Sequence, residues 1–274
     1  MTSVNKAIIL CAKIFAALII AGIISSAVSL VGLLSPADDE LSIQDTVYRI
    51  YGAEISSLDI ELSSAQLIIQ SGDMLAVTVS NEDKLLIVEE KDNGKLKIRE
   101  KNQLQINKNL VVTVKVPDKL NVVDIDTGAG KVSIGKITAD RFYLNVGAGN
   151  VEIHELNAKA EINGGVGDVS IRSGAIHDLD LDFGVGNISV TAELTGEADI
   201  DCGMGNLDLT LINGAVRNRI VCDVGLGSFK VNGDKVKNSQ VIGHGANSID
   251  IDGGIGNVSV SFADVITTEE ITAN

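Results

Sequence analysis

Seven copies of one short motif, spaced about nineteen residues apart, constrain this chain more than any other feature of its sequence. Each copy reads glycine, apolar, glycine, polar, apolar, polar, apolar: GAGKVSI, GAGNVEI, GVGDVSI, GVGNISV, GMGNLDL, GLGSFKV and GIGNVSV. The glycine pairs are Gly128 and Gly130, Gly147 and Gly149, Gly165 and Gly167, Gly184 and Gly186, Gly203 and Gly205, Gly225 and Gly227, and Gly254 and Gly256. Successive starts lie 19, 18, 19, 19, 22 and 29 residues apart, so the last two intervals carry insertions. A fixed period of this size marks a repeat architecture in which each unit is one turn of a larger stack.

The flanking columns are equally regular. One place before each first glycine stand Thr127, Val146, Gly164, Phe183, Cys202, Val224 and Gly253, and three places before it Ile125, Leu144, Ile162, Leu181, Ile200, Cys222 and Ile251. Between them every copy has Asp or Asn. Strict alternation means extended strand, with the apolar columns inward and the Asp/Asn column outward or in a turn. The alternation slips by one only at the second glycine and the polar residue after it. That leaves the apolar residue between the glycines on the inward side and places a corner or bulge at the second glycine, which tolerates backbone angles closed to other residues. Ile137, Leu156, Ile176 and Leu194 would seal the returning side.

A rung offers about six inward side chains worth roughly 1.5–3 kcal/mol each, against about 1–2 kcal/mol per residue to order its backbone. One rung cannot stand alone; stacked rungs share a core and pair every strand. The fold class expected is all-β: a single-stranded β-solenoid with rungs of about 19 residues over 121–262, wound right-handed by the crossover rule.

Residues 43–120 have strand character without a clean Gly-x-Gly motif. Candidate strands are Ser57–Leu62, Gln66–Gln70, Leu75–Val79, Leu85–Glu89, Lys95–Arg99 and Leu110–Val116, with a turn at Asp92–Asn93–Gly94. They read as atypical early rungs capping the stack, or as a small independent β-domain. The final strand, Val258–Phe262, leaves an edge that the polar tail 263–274 would cover or a neighbour extend.

Ahead of the β-region, Ile14–Leu34 carries no charge and matches the roughly 20 residues that cross a bilayer as a helix. It separates a short cytoplasmic start, 1–13, from a linker, 35–42. Lys6 and Lys13 precede the segment and Asp38, Asp39 and Glu40 follow it, which keeps the N-terminus cytoplasmic and exports the C-terminal bulk across the cell membrane. The rival is a signal peptide cleaved near Ala27, giving a secreted protein. A retained anchor is favoured because the apolar run continues through Leu34.

The chain carries a formal charge of −15, and every acidic residue lies beyond Leu34, where 37 acids face 20 bases. Such a surface excludes nucleic acid as a partner and tolerates cations or basic partners.

The anchor, the irregular strands closed by Val114–Pro117, and the G-x-G-N-V-x-V rungs resemble bacterial "putative adhesin" domains and the related auto-transporter adhesin head domains. The resemblance spans Ile43–Phe262. It implies a β-solenoid in a cell-envelope setting and supplies no catalytic residues.

Motifs suggestive of chemistry are weak. Gly130–Lys136 mimics a phosphate-cradling loop, but Ile137 stands where a hydroxyl would hold magnesium and no helix follows, which argues against nucleotide binding. The calcium-roll motif is absent, since the polar residue falls one place early. A looser cation ladder survives: Asp180, Asp182, Asp199, Asp201 and Asp223 would recur about every 4.8 Å, and calcium would relieve their repulsion. Solvated or turn-capping carboxylates are the simpler reading, and no cofactor is expected. Cys202 and Cys222 fall in the inward columns, where buried thiols are the default and a bridge between adjacent rungs the alternative. His154, His177 and His244 show no metal spacing, and Ser133, Ser170, Ser189 and Ser259 fill one outward column. The expected function is a non-enzymatic, membrane-anchored scaffold that presents an acidic β-face to an envelope protein or glycan, in adhesion or envelope-stress sensing. The alternative is an enzyme acting on envelope polysaccharide through carboxylates on that face.

Overall fold

The computed structural model describes residues 47–51, 54–80, 86–91, 93–101 and 110–263. The apolar segment 14–34, its flanks 1–13 and 35–42, and the tail beyond Ala263 lie outside the described residues, as do Leu85 and Asp92. Among the described residues no helix is long and apolar enough to cross a membrane, and a single 3-10 turn, Ala215–Arg217, interrupts an otherwise all-β chain. The described strands form one sixteen-stranded sheet.

The strands are β1 (Val47–Ile50), β2 (Ser57–Leu62), β3 (Gln66–Ser71), β4 (Ala76–Ser80), β5 (Leu86–Lys91), β6 (Lys95–Glu100), β7 (Val111–Val116) and β8 (Leu120–Val166). There follow β9 (Val169–Ile171), β10 (Gly174–Val185), β11 (Ile188–Thr195), β12 (Glu197–Met204), β13 (Leu207–Leu211), β14 (Asn218–Val231), β15 (Asp234–Val236) and β16 (Asn247–Phe262). Every candidate early strand is present within a residue or two, and β1 is an addition.

The repeat stacks by translation. Leu181 pairs in parallel with Ile162 on one side and Ile200 on the other, and Phe183 with Gly164 and Cys202. Ile188 likewise pairs with Val169 and Leu207. The inward columns form one continuous core, in which Ile125, Leu144, Leu181, Ile200, Cys222 and Ile251 are fully buried, as are Ile137, Leu156, Ile176 and Leu194 to within 1%. Phe183 uses the space left by Gly164, where a Cβ would run into its ring.

The second glycine of every copy is the corner. All seven have positive φ, from 143° at Gly167 to 155° at Gly227, and each lies against the carbonyl of its neighbour, so that a Cβ on Gly186 would overlap the carbonyl oxygen of Gly167. Conformation and space both demand glycine.

The order of coils corrects the sequence reading at the C-terminal end. The copy at Gly254 lies directly on Gly203, and the copy at Gly225 lies outside it, on Gly254. The last strand, β16, is inserted between β12 and β13 on one side and β14 on the other. The edge expected at Val258–Phe262 therefore does not exist there: Val258 and Val260 pair with Leu207 and Leu209 on one side and with Phe229 and Val231 on the other. The 29-residue interval between these copies holds the device that closes the stack. β15 folds back antiparallel on β14, and the segment after it covers the remaining edge, with Ser239 N–H donating to Cys222 O, Ile242 N–H to Ile220 O and the Asn238 side chain to Val224 O.

The same reordering excludes a disulfide. Cys202 faces Gly253 and Cys222 faces Ile251, so a whole coil separates the two columns, and both thiols are free and buried. Burial, reinforced by Asp223, Asp252 and Asp250, pushes the Cys222 thiol up to about 12. Since the thiolate is the reactive form, iodoacetamide at pH 8 is expected to leave both thiols unmodified in the native protein and to alkylate both in denaturant, as read by intact mass.

At the N-terminal end β2 and β3 pair in register with β8. The later strands β6 and β7 lie outside them in parallel, and β5, β4 and β1 finish the end antiparallel. Ser63–Ala65 stand where other coils carry the glycine corner, with Ser63 under Gly128 and Ala65 under Gly130. Glu100, 6% exposed, accepts the Ser63 N–H at 3.0 Å. Glu100→Ala would strand that donor and is expected to cost about 1–3 kcal/mol, whereas Glu100→Gln keeps an acceptor and should cost less than half as much in urea denaturation.

Candidate interaction surface

Two outward columns of carboxylates run side by side up one face. In the first, Asp126 is followed by Asn145, Asn163, Asp182, Asp201, Asp252 and Asp223; in the second, Glu161, Asp180, Asp199 and Asp250 are register neighbours. Amides near the base bridge the first column, with Asn145 Nδ2 donating to Asp126 and Asn163 Nδ2 to Asn145. Higher up, like charge faces like charge.

The second column lines an open groove of about 660 Å³, floored by Ala160, Leu179 and Ala198 and walled by Asp180, Asp199, Asp250, Glu161 and Glu197, with Arg141, Tyr143 and Lys159 at its lower end. A bulge builds its rim. The register slips between His177 and Asp180, and Asp178 adopts φ 47°. Its carboxylate accepts the Glu197 N–H at 3.2 Å and the Lys159 ammonium at 3.2 Å, while His177 lies 3.3 Å away and also meets Thr195 Oγ1. The Glu197 N–H first, and Lys159 second, hold Asp178 below the usual carboxylate range. A depressed acid stabilises the fold above its unfolded pKa, so this rim contribution is complete above about pH 4 and lost as pH falls further.

The corner carries two ladders that sequence reasoning missed. The residue after the second glycine stacks by side-chain amide: Asp168 Oδ1 accepts both the backbone and side-chain N–H of Asn187, Asn187 serves Asn206, and Asn206 serves Asn257, at 2.9–3.3 Å. Ser228 ends the row by donating to Asn257. The recurrence of asparagine at this place, in four of seven copies, was the available signal. The residue between the glycines is the second ladder, and it corrects an expectation. It points outward, because the positive-φ glycine turns the chain one residue later, and Val166, Val185, Met204, Ile255 and Leu226 follow one another up the corner. Ile255 and Leu226 are 49% and 69% exposed.

The five aspartates of the expected cation ladder are only partly brought together. Asp180 pairs with Asp199 and Asp182 with Asp201, but Asp252 separates Asp201 from Asp223. Among the described residues no three His, Cys, Asp or Glu side chains converge to hold a metal. Gly130–Lys136 runs on as strand within β8. His154 and His177 stand in different coils, and the column of Ser133, Ser170, Ser189 and Ser259 is partly exposed strand surface.

No curated protein matches the chain. Among solved structures it is similar to a "putative cell adhesion protein" from Clostridium sporogenes, at 16% identity and a TM-score of 0.39 over 80% of this chain and 99% of that one. A "putative adhesin" from Bacteroides fragilis matches at 15% identity and 0.36, covering 79% and 97%. A "putative lipid binding protein" from Parabacteroides distasonis matches at 16% and 0.32, covering 79% and 97%. The family model described as Toastrack DUF4097 matches residues 55–217, which takes in both early parallel coils and the first five glycine corners. The chain belongs to the Toastrack DUF4097 family.

Proposed function

We propose that this chain is an extracytoplasmic binding scaffold, held to the cell membrane by residues 14–34 and wound as a right-handed β-solenoid, that presents its acidic face to another component of the envelope. The observation that carries the reading is the groove lined by Asp180, Asp199 and Asp250: a rigid, open, polar surface whose charge is repeated by strand register. Between Ser173 and Leu211 there are eight carboxylates and no lysine or arginine. Charges set side by side at strand spacing repel one another, and a basic or cation-carrying partner relieves that repulsion on binding. Carboxylates repeated in register, with no pair set apart from its neighbours, suit recognition better than acid–base catalysis, which needs two carboxyls in unlike environments.

Full-length protein solubilised from its native membrane and an Asp199→Asn/Asp250→Asn variant should be compared by quantitative affinity capture. The reading expects a partner enriched with the wild type and depleted at least about fivefold with the variant, and depleted likewise by raised salt. Identical capture by both would overturn it.

A further inference from the structure

The charge of this acidic molecule reverses at the closed end of the stack. Between Ile212 and Ala246 there are five lysines and arginines against two aspartates, directly after the stretch that has none. Lys230 of β14 and Lys235 of β15 are register partners, and Lys237 follows two residues on. All three are exposed, and none forms an ion pair or side-chain hydrogen bond with a described residue. Like charges directly opposite one another across a strand pair lower stability. Asp199 and Asp250 repeat the arrangement with the opposite sign: they are register partners, both exposed, and neither ion-paired with a described residue.

The aspartates precede the glycine corner in their coils and the lysines follow it in theirs, so the two pairs stand on different sides of the stack and cannot meet within one chain. They can meet between chains. Each pair is set at the spacing of neighbouring strands, about 4.8 Å, so two lysines side by side match two aspartates side by side without either backbone adjusting.

We propose that the closed end of one copy, through Lys230, Lys235 and Lys237, docks on the acidic groove of a second copy at Asp199 and Asp250. The inference rests on the acidic face being a binding surface and names a second copy of this chain as an occupant. The contact joins two different patches, so it is heterologous, and it propagates as rows unless the geometry closes a ring. The remaining charge is no obstacle at physiological salt, where the screening length of about 8 Å is less than two coil spacings.

Sedimentation velocity of the full-length chain in detergent tests this, with two variants: Lys230→Glu/Lys235→Glu/Lys237→Glu, and Asp199→Asn/Asp250→Asn. The wild type is expected to associate at about 50 mM salt, with apparent affinity at least about tenfold weaker at about 500 mM. Each variant alone should lose that salt-sensitive association, and the two mixed should recover it as heterodimers that go no further, since one intact contact remains. Circular dichroism checks that both variants stay folded. A wild type that is monomeric at low salt, association that survives the lysine substitutions, or binding of the monomer through these lysines to phosphatidylglycerol vesicles instead, would overturn the proposal. Capture of an envelope partner that depends on Asp199 and Asp250 by a monomeric protein would sink self-association alone and leave the binding face standing.

Discussion

Gly186→Ala is expected to lower the melting midpoint of the folded region by about 8–16 °C. Two costs combine. Gly186 has φ 147°, a region essentially closed to other residues and worth about 1–3 kcal/mol of strain. A Cβ there would also overlap the Gly167 carbonyl oxygen and press on the Phe183 ring, and overpacking costs about 1–3 kcal/mol more. A total near 4 kcal/mol converts at about 2–4 °C per kcal/mol for a domain of this size. Two controls separate the causes. Gly233 has φ 88° but nothing within 4 Å of an added Cβ, so Gly233→Ala should show strain alone, about a quarter of the effect. Gly135 has neither positive φ nor a contact closer than 3.5 Å, and Gly135→Ala should be neutral. Equal midpoints for all three by differential scanning calorimetry would mean that the corners are not what holds the coils at their spacing.

Ending the chain at Ala246 is expected to release the whole closed end of the stack. In a solenoid that winds in sequence order, removing the last coil peels off an edge and leaves its neighbour paired. Here, among the described strands, β16 is the only neighbour that pairs with β14 along its full length, from Asn218 with Asn247 to Val231 with Val260, and it is also what joins β14 to β12 and β13. Without it the coil 218–231 keeps its hairpin with β15 and the edge contacts of Asn238, Ser239 and Ile242, and loses the coil that joins Ile220, Cys222 and Phe229 to the rest of the core. Amide exchange followed by mass spectrometry should find residues 218–231 unprotected in the truncated protein, while 156–194 exchange as slowly as in the intact chain. Protection of 218–231 after truncation would mean that β14 can take the vacated place on β12, and that insertion of β16 is not required for closure.

Much of this architecture was legible in the residues. The inward columns and the corner at each second glycine follow from a period of about nineteen and an alternation of two, because a backbone that repeats its side-chain pattern can satisfy it only by repeating its conformation; the strands between Ser57 and Val116 follow from the alternation alone. The same periodicity misplaced the residue between the glycines. Alternation assigns Leu226 and Ile255 inward, whereas a positive-φ glycine turns the chain within the motif and sends them out. The asparagine ladder was visible as composition but not as structure, since its hydrogen bonds join residues that are neighbours only once the coils are stacked. Within the candidate site the column of Asp180 and Asp199 was legible, and the separation of Asp223 from Asp201 was not.

The sequence by itself determined the unit: an extended coil of about nineteen residues, apolar within and acidic without, unable to stand without neighbours. Only the tertiary structure decided the order in which the units lie, the inserted final strand, the antiparallel closures at both ends, and the placing of Lys230 and Lys235 away from Asp199 and Asp250. The physical reason is that every coil presents nearly the same apolar columns and corner, so local pattern fits any coil against any other. The choice among those pairings falls to the lengths and hydrogen bonds of the insertions between them, which close edges that the repeat alone leaves open.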